Sequence, residues 1–205
     1  MSRKIIITLS GPSNAGKTVL EDALIKAKVA TRVLGFTTRP PRNGETDGVD
    51  NHFISREAAL ALMATDECFH QIEHSGEYYG KTETYFNDAF AQNPVVVAVA
   101  TPEGARQIRQ YYQADESVTV VSFFVTASTD TLVARMLKRF ENQDKPDHMH
   151  YAKRIRKLLS DEVHWGSKYK LTFNETLVSS DTEALQNNVQ HIYQLIQRLN
   201  SAYIK

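Results

Sequence analysis

The eight residues Gly11-Pro12-Ser13-Asn14-Ala15-Gly16-Lys17-Thr18 satisfy the spacing G-x-x-x-x-G-K-[ST], and that spacing restricts the fold more than any other feature of the chain. It works only where a buried strand turns sharply into a helix, so that glycines let successive backbone N–H groups point inward and the helix N-terminus adds partial positive charge. The flanking residues agree. Ile5 to Leu9 is a short run rich in β-branched residues, closed by Gly11-Pro12, and reads as a buried strand. Beyond Lys17, the residues Val19, Leu20, Ala23, Leu24 and Ala27 recur at helical spacing and form a stripe that would face a sheet. A loop of this kind holds the phosphates of a nucleotide such as ATP, with Lys17 reaching the β- and γ-phosphates and the Thr18 hydroxyl ligating Mg²⁺.

The rest of the chain supplies the sheet that such a loop needs. Val95 to Ala100, opened by Pro94, is apolar on both faces and suits an internal strand of a parallel sheet. Val118 to Val125 reads as a third strand, followed by a helix from Thr129 to about Phe140, and Leu171 to Phe173 reads as a fourth. A C-terminal helix from about Thr182 to Leu199 carries Leu185, Val189, Ile192, Leu195, Ile196 and Leu199 on one stripe. Strands alternating with helices imply an α/β, three-layer, doubly wound parallel sheet with right-handed crossovers. Between Gly35 and Phe53 the sequence is rich in Thr, Pro, Arg, Gly and Asp, and is expected to be an exposed loop or an irregular small sheet that carries function. A short helix over Arg56 to Thr65 and a hairpin from Phe69 to Tyr79, turning near Ser75-Gly76, complete that part. The polar stretch ENQDKPDHMHYAK after Phe140 reads equally as a solvated loop or a lid.

Composition narrows the function classes. A formal charge of +0 removes the simplest argument for binding nucleic acid or an anionic membrane surface, so any basic cluster must be local, and no run approaches the roughly 20 apolar residues that span a bilayer. The lone Cys68 cannot form an internal disulfide, so it reads as a small buried hydrophobe in a reducing, cytoplasmic setting. His148, His150 and His164 lack a Cys or carboxylate partner at compact ligand spacing and do not suggest a metal site.

Further motifs sharpen the reading. Thr37-Thr38-Arg39-Pro40-Pro41-Arg42-Asn43-Gly44-Glu45 followed by Asp47-Gly48-Val49-Asp50, and Gly76-Glu77-Tyr78-Tyr79-Gly80 downstream, resemble the acceptor-binding segments of guanylate kinases. The resemblance runs in order from the P-loop to Phe173-Asn174-Glu175. It implies a single 1–205 domain: a core at about 1–34, 91–140 and 165–205, an inserted acceptor-binding subdomain at about 35–90, and a helical lid at about 140–160. It also implies that Arg39, Arg42 and Tyr79 hold the acceptor's phosphate, with Glu45 orienting an arginine. Guanidinium groups suit that task because they bind phosphate oxygens bidentately and stay charged. By the same resemblance Arg135, Arg139 and Arg154 neutralise charge during transfer, and Asn174 contacts adenine.

The chain departs from that family where the family reads guanine. The family's Glu, which accepts from the base, is His70 here; its Asp is Thr101; a Tyr is Asn51, a Ser is Lys81, and an early Ser is Gly35. The strand Val95 to Ala100 also lacks the acidic residue that commonly supports Mg²⁺, and Glu103 is the nearest carboxylate. The leading expectation is an ATP-dependent kinase acting on a phosphorylated small molecule, a nucleoside monophosphate with GMP as the default acceptor. A base-retuned nucleotide kinase reading its base through His70, Asn51 and Lys81, a sugar-phosphate kinase resembling the ribose bisphosphate phosphokinases, and a non-catalytic binding module remain as alternatives.

Overall fold

The computed structural model describes residues 3–203 apart from 43, 75 and 142–146, with no side chain described at 150, 202 or 203. In chain order the elements are β1 (Lys4–Ser10), α1 (Lys17–Lys26), β2 (Thr31–Arg32), β3 (Phe36–Thr37), β4 (His52–Phe53), α2 (Arg56–Met63), β5 (His70–His74) and β6 (Glu77–Lys81). They continue as α3 (Glu83–Gln92), β7 (Val95–Val99), α4 (Pro102–Tyr111), β8 (Val118–Thr126), α5 (Thr129–Glu141), α6 (His148–Ser160), α7 (Trp165–Lys168), β9 (Glu175–Val178) and α8 (Thr182–Tyr203).

Five strands form one parallel sheet in the order β2-β7-β1-β8-β9. Its centre is buried on both faces, as the continuous apolar runs dictate: Ile5, Ile6, Val96 and Val97 are all 0% exposed. Alternation along β1 feeds two cores. Ile5, Ile7 and Leu9 pack with Leu20, Leu24 and Ile192 from α1 and α8, while Ile6 packs with Phe86 and Ile108 from α3 and α4. Each fully buried aliphatic side chain contributes about 1.5–3 kcal/mol of transfer free energy. The chain leaves β1 toward β7 on one side and β8 on the other, so a crevice opens at the carboxyl end of β1, where ligands of such sheets bind.

A second sheet, β4-β3-β6-β5, is antiparallel except where β3 meets β4. The irregular segment after Gly35 thus contributes two short strands to a small sheet. At Gly80 a Cβ would fall 2.1 Å from the Phe36 ring, so glycine is what allows β3 and β6 to approach.

One strand expectation needs correction. Leu171 to Phe173 is no strand: Lys170–Thr172 is a 3-10 turn with Leu171 99% exposed, and the edge strand is β9, just downstream. The apolar letters Leu-Thr-Phe imitate a strand, but only Leu177 of the true strand is buried against the core. The edge strand β2 has two residues, too short for periodicity to reveal. Of the stretch expected to be a lid, residues 142–146 lie outside the described set, and the described remainder is the end of α5, Asp147 and α6. Cys68 is buried, and burial pushes its thiol up to about 11. Among the described residues no helix is long and apolar enough to cross a membrane.

Candidate active site

The loop between β1 and α1 has the conformation its glycines permit. Gly11 has φ 147°, and a Cβ there would lie 1.9 Å from the Val125 carbonyl oxygen. Asn14 and Gly16 follow at φ 64° and 92°, an alternation that turns backbone N–H groups into one concavity. Helices α2, α3 and α4 are capped by the side chains of Ser55, Thr82 and Thr101, whereas α1 begins on Gly16 with no side-chain cap. Its first N–H groups are left to an anion. Lys17 Nζ lies back over the loop and donates to the Gly11 and Pro12 carbonyls at 2.8 Å each. Burial, opposed by Glu162 and reinforced by Arg42 and Arg154, pushes its ammonium down to about 8.

The loop opens onto a cavity of about 700 Å³ that lies between the two sheets. Gly11, Ser13, Asn14, Gly16, Lys17 and Thr18 line it on one side. Pro12 and Ala15 are buried within the loop and act through its backbone. On the other side stand Arg39, Arg42, Glu45 and Tyr79. Arg39 donates to both Glu45 oxygens, at 2.6 and 2.8 Å, and the Arg42 backbone N–H donates to the same carboxylate at 2.7 Å. Burial alone would raise the Glu45 carboxyl, but these bonds outweigh it and hold it below its usual range. Burial, with Arg39 and Arg139 as neighbours, pushes Arg42 down to about 10. A guanidinium so crowded is still charged at neutral pH, and an arriving phosphate relieves the repulsion.

Arg135, Arg139 and Arg154 also line the cavity. Arg135 donates to the Asn14, Ser179 and Ser180 carbonyls at 3.3, 2.9 and 2.9 Å, tying α5 to the phosphate loop. Arg154 donates to Ser13 Oγ at 3.1 Å. Six guanidinium groups, Arg32 included, and Lys17 therefore border one cavity, a density of positive charge that suits an anionic ligand.

The positions that set this chain apart also reach the cavity: Asn51, His70, Lys81 and Thr101 all line it. His70 is 3% exposed, and neither ring nitrogen has a partner among the described residues. Burial, then the Lys81 charge, pushes its imidazole down to about 3, so it is neutral. Lys81 Nζ donates to the Val33 carbonyl at 3.0 Å, and burial pushes its ammonium down to about 8 against the pull of Glu21.

Two sequence-predicted residues are not brought to the cavity. Asn174 faces the core sheet, where its Oδ1 accepts from the Ser122 backbone N–H at 2.8 Å and from Arg109 at 2.7 Å. Glu103 pairs with Arg106 along the exposed face of α4 at 2.6 Å and gives the cavity no carboxylate. Sequence reasoning missed Glu162, which is 2% exposed and accepts from the Ser13 N–H at 2.6 Å across 149 residues of chain. No local pattern marks it. Glu21, also missed, did leave a signal: it is a carboxylate beside Leu20 on the buried stripe of α1, and Arg32 holds it at 3.1 Å.

Comparison with known proteins agrees with this geometry. The guanylate kinase family model matches residues 2–196. The guanylate kinase of Alkalilimnicola ehrlichii is 30% identical over 189 residues, covering 92% of this chain and 87% of that protein. The guanylate kinase of Hahella chejuensis is 31% identical over 176 residues, covering 85% and 81%. Among solved structures, guanylate kinase from Anaplasma phagocytophilum superposes with a TM-score of 0.64 at 21% identity, covering 97% of this chain and 87% of that one, a likeness of fold.

Proposed function

The chain belongs to the guanylate kinase family, and on that premise we propose that it transfers the γ-phosphoryl group of ATP to a nucleoside monophosphate, with GMP as the acceptor its relatives' name carries. One observation supports this above all: the loop Gly11 to Thr18, the pair Arg39 and Arg42, and Arg135, Arg139 and Arg154 all border a single cavity. A phosphate cradle alone would serve a nucleotide hydrolase. A second cluster, Arg39 and Arg42 braced by Glu45, serves a second phosphate.

The work of each residue follows from phosphoryl transfer itself, which is mostly positioning and electrostatic stabilisation. The loop amides and Lys17 take the β- and γ-phosphates of ATP. Lys17 exchanges its carbonyl partners for phosphate oxygens, and the added negative charge raises its lowered affinity for a proton. Arg39, Arg42 and Tyr79 fix the acceptor's phosphate so that one of its oxygens attacks the γ-phosphorus. The bond to the β–γ bridging oxygen breaks, and ADP leaves. Arg135, Arg139 and Arg154 neutralise the charge that spreads over the moving group.

Mg²⁺ fits the residues present in part. The Thr18 hydroxyl is exposed beside the cradle and can serve as a ligand, while Val99 and its neighbours offer no carboxylate. The remaining ligands would be water and phosphate oxygens, the usual preference of this ion. When bound, it supplies charge neutralisation on the β- and γ-phosphates. The intact cradle weighs against a purely scaffolding module, and the match along nearly the whole chain weighs against a sugar-phosphate kinase.

A coupled assay for ADP formed from MgATP and GMP tests the reading. The wild-type protein is expected to turn over, and Lys17→Ala is expected to lower kcat by about 100-fold or more while the fold persists, since this side chain contacts only loop carbonyls. Absence of acceptor-dependent ADP with every nucleoside monophosphate would refute it.

A further inference from the structure

Lys81 and Thr101, which line the same cavity, each bring a hydrogen-bond donor to it. Lys81 brings an ammonium into the cavity with one donor on the Val33 carbonyl. It reaches that place because residue 35 is glycine: a Cβ there would lie 3.0 Å from Nζ. Thr101 Oγ1 accepts from the Gly104 N–H at 3.1 Å, so its own proton remains to be donated elsewhere. His70, neutral and without a partner among the described residues, keeps both ring nitrogens enclosed and gives this place no carboxylate. Its ring is seated against Gly104, where a Cβ would fall 2.3 Å from Nε2.

The cavity's carboxylates are already engaged. Among the described lining residues, every carboxylate already accepts from a protein donor: Glu21 from Arg32, Glu45 from Arg39, Asp50 from the Thr46 N–H, Glu162 from the Ser13 N–H, and Asp181 from the Ala184 N–H. Guanine presents an N1–H and an exocyclic amine on one edge and a carbonyl beside them. The carbonyl suits this pocket; the amine would be desolvated among other donors.

We propose that Lys81 and Thr101 read the carbonyl of a 6-oxopurine, and that the enclosed, uncharged His70 gives the exocyclic amine no acceptor, so IMP is an acceptor equal to or better than GMP. This rests on the phosphotransfer reading above. Lys81 donates to the base oxygen, while the His70 ring nitrogens stay enclosed, Nε2 against Gly104. A site that accepted from the amine would reject IMP by orders of magnitude, because its own buried acceptors would be left unpaired.

The test is kcat/KM for IMP and GMP with saturating MgATP, in the wild type and in the double variant His70→Glu/Thr101→Asp. A wild-type GMP:IMP ratio at or below about 1 supports the proposal, and a higher ratio overturns it. The double variant is expected to raise the ratio by about tenfold or more; an unchanged ratio in a folded, ATP-binding variant overturns the assignment of these residues. Should the double variant not fold, Lys81→Met replaces it: kcat/KM for IMP must fall by about tenfold while KM for ATP holds, and an unchanged value overturns the role of Lys81. If no monophosphate yields ADP, the phosphotransfer reading fails by itself. Calorimetric affinities of IMP and GMP then decide the base preference on the same threshold.

Discussion

The unpartnered imidazole of His70 should make the protein sensitive to mild acid in a way that one substitution removes. Burial, and then the Lys81 ammonium paired with it across β5 and β6, push its folded-state affinity down to about 3, whereas an unfolded histidine titrates near ~6.5. The folded state therefore stays neutral while the unfolded state takes up a proton. Stability is unaffected above ~6.5 and is lost progressively as pH falls from there toward 3. At pH ~5 the unfolded chain gains about 2 kcal/mol from this one group, ~1.5 pH intervals at ~1.36 kcal/mol each. Other groups titrate in the same range, so the comparison is with His70→Leu, which fills similar space without a titrating ring. Urea unfolding of both proteins at pH ~7.5 and ~5 gives four free energies. The wild type should lose about 2 kcal/mol more than the variant between the two conditions. Equal losses would show that His70 finds a partner or water when charged, and the account of a dry, neutral imidazole would be wrong.

Other perturbations separate the two anion sites. Glu45→Ala removes both carboxylate bonds that hold the Arg39 guanidinium; acceptor KM is expected to rise about 10–100-fold in steady-state assays while KM for ATP stays put. Gly16→Ala places a Cβ 2.7 Å from Ser179 Oγ at a residue with φ 92°, so ATP affinity by calorimetry should collapse with only ~1–2 kcal/mol of lost stability in denaturant unfolding. Arg135→Lys cannot bridge three carbonyls at once, and kcat should fall by about tenfold or more with the acceptor KM unchanged.

Much of this architecture was legible because its signals are local. The strand, glycine turn and amphipathic helix around Lys17 are written within a few residues of one another, and so is the doubly apolar run Val95 to Val99 that forms an inner strand. Short edge strands carry no such signal: β2 has two residues, and β9 buries only one of four. Arg39, Arg42 and Tyr79 could be grouped from the motifs, yet nothing in the sequence says that Glu45 grips Arg39 with both oxygens. Contacts that span the chain were the least visible. Glu162 meets the Ser13 N–H only because the turn after α6 folds over the loop, and Asn174 serves the sheet because Ser122 presents an N–H beside it.

The central claim is that one cavity holds two phosphorylated ligands end to end. A bisubstrate analogue, adenosine joined to inosine or guanosine through a chain of five phosphates, examines it directly by calorimetry. The account predicts binding at least ~100-fold tighter than ATP alone, since the second site is engaged without a further loss of translational freedom, and a weakening in both Lys17→Ala and Arg42→Ala. Binding no tighter than ATP, or indifferent to Arg42, would mean that the arginine cluster does not face the phosphate loop as a second site.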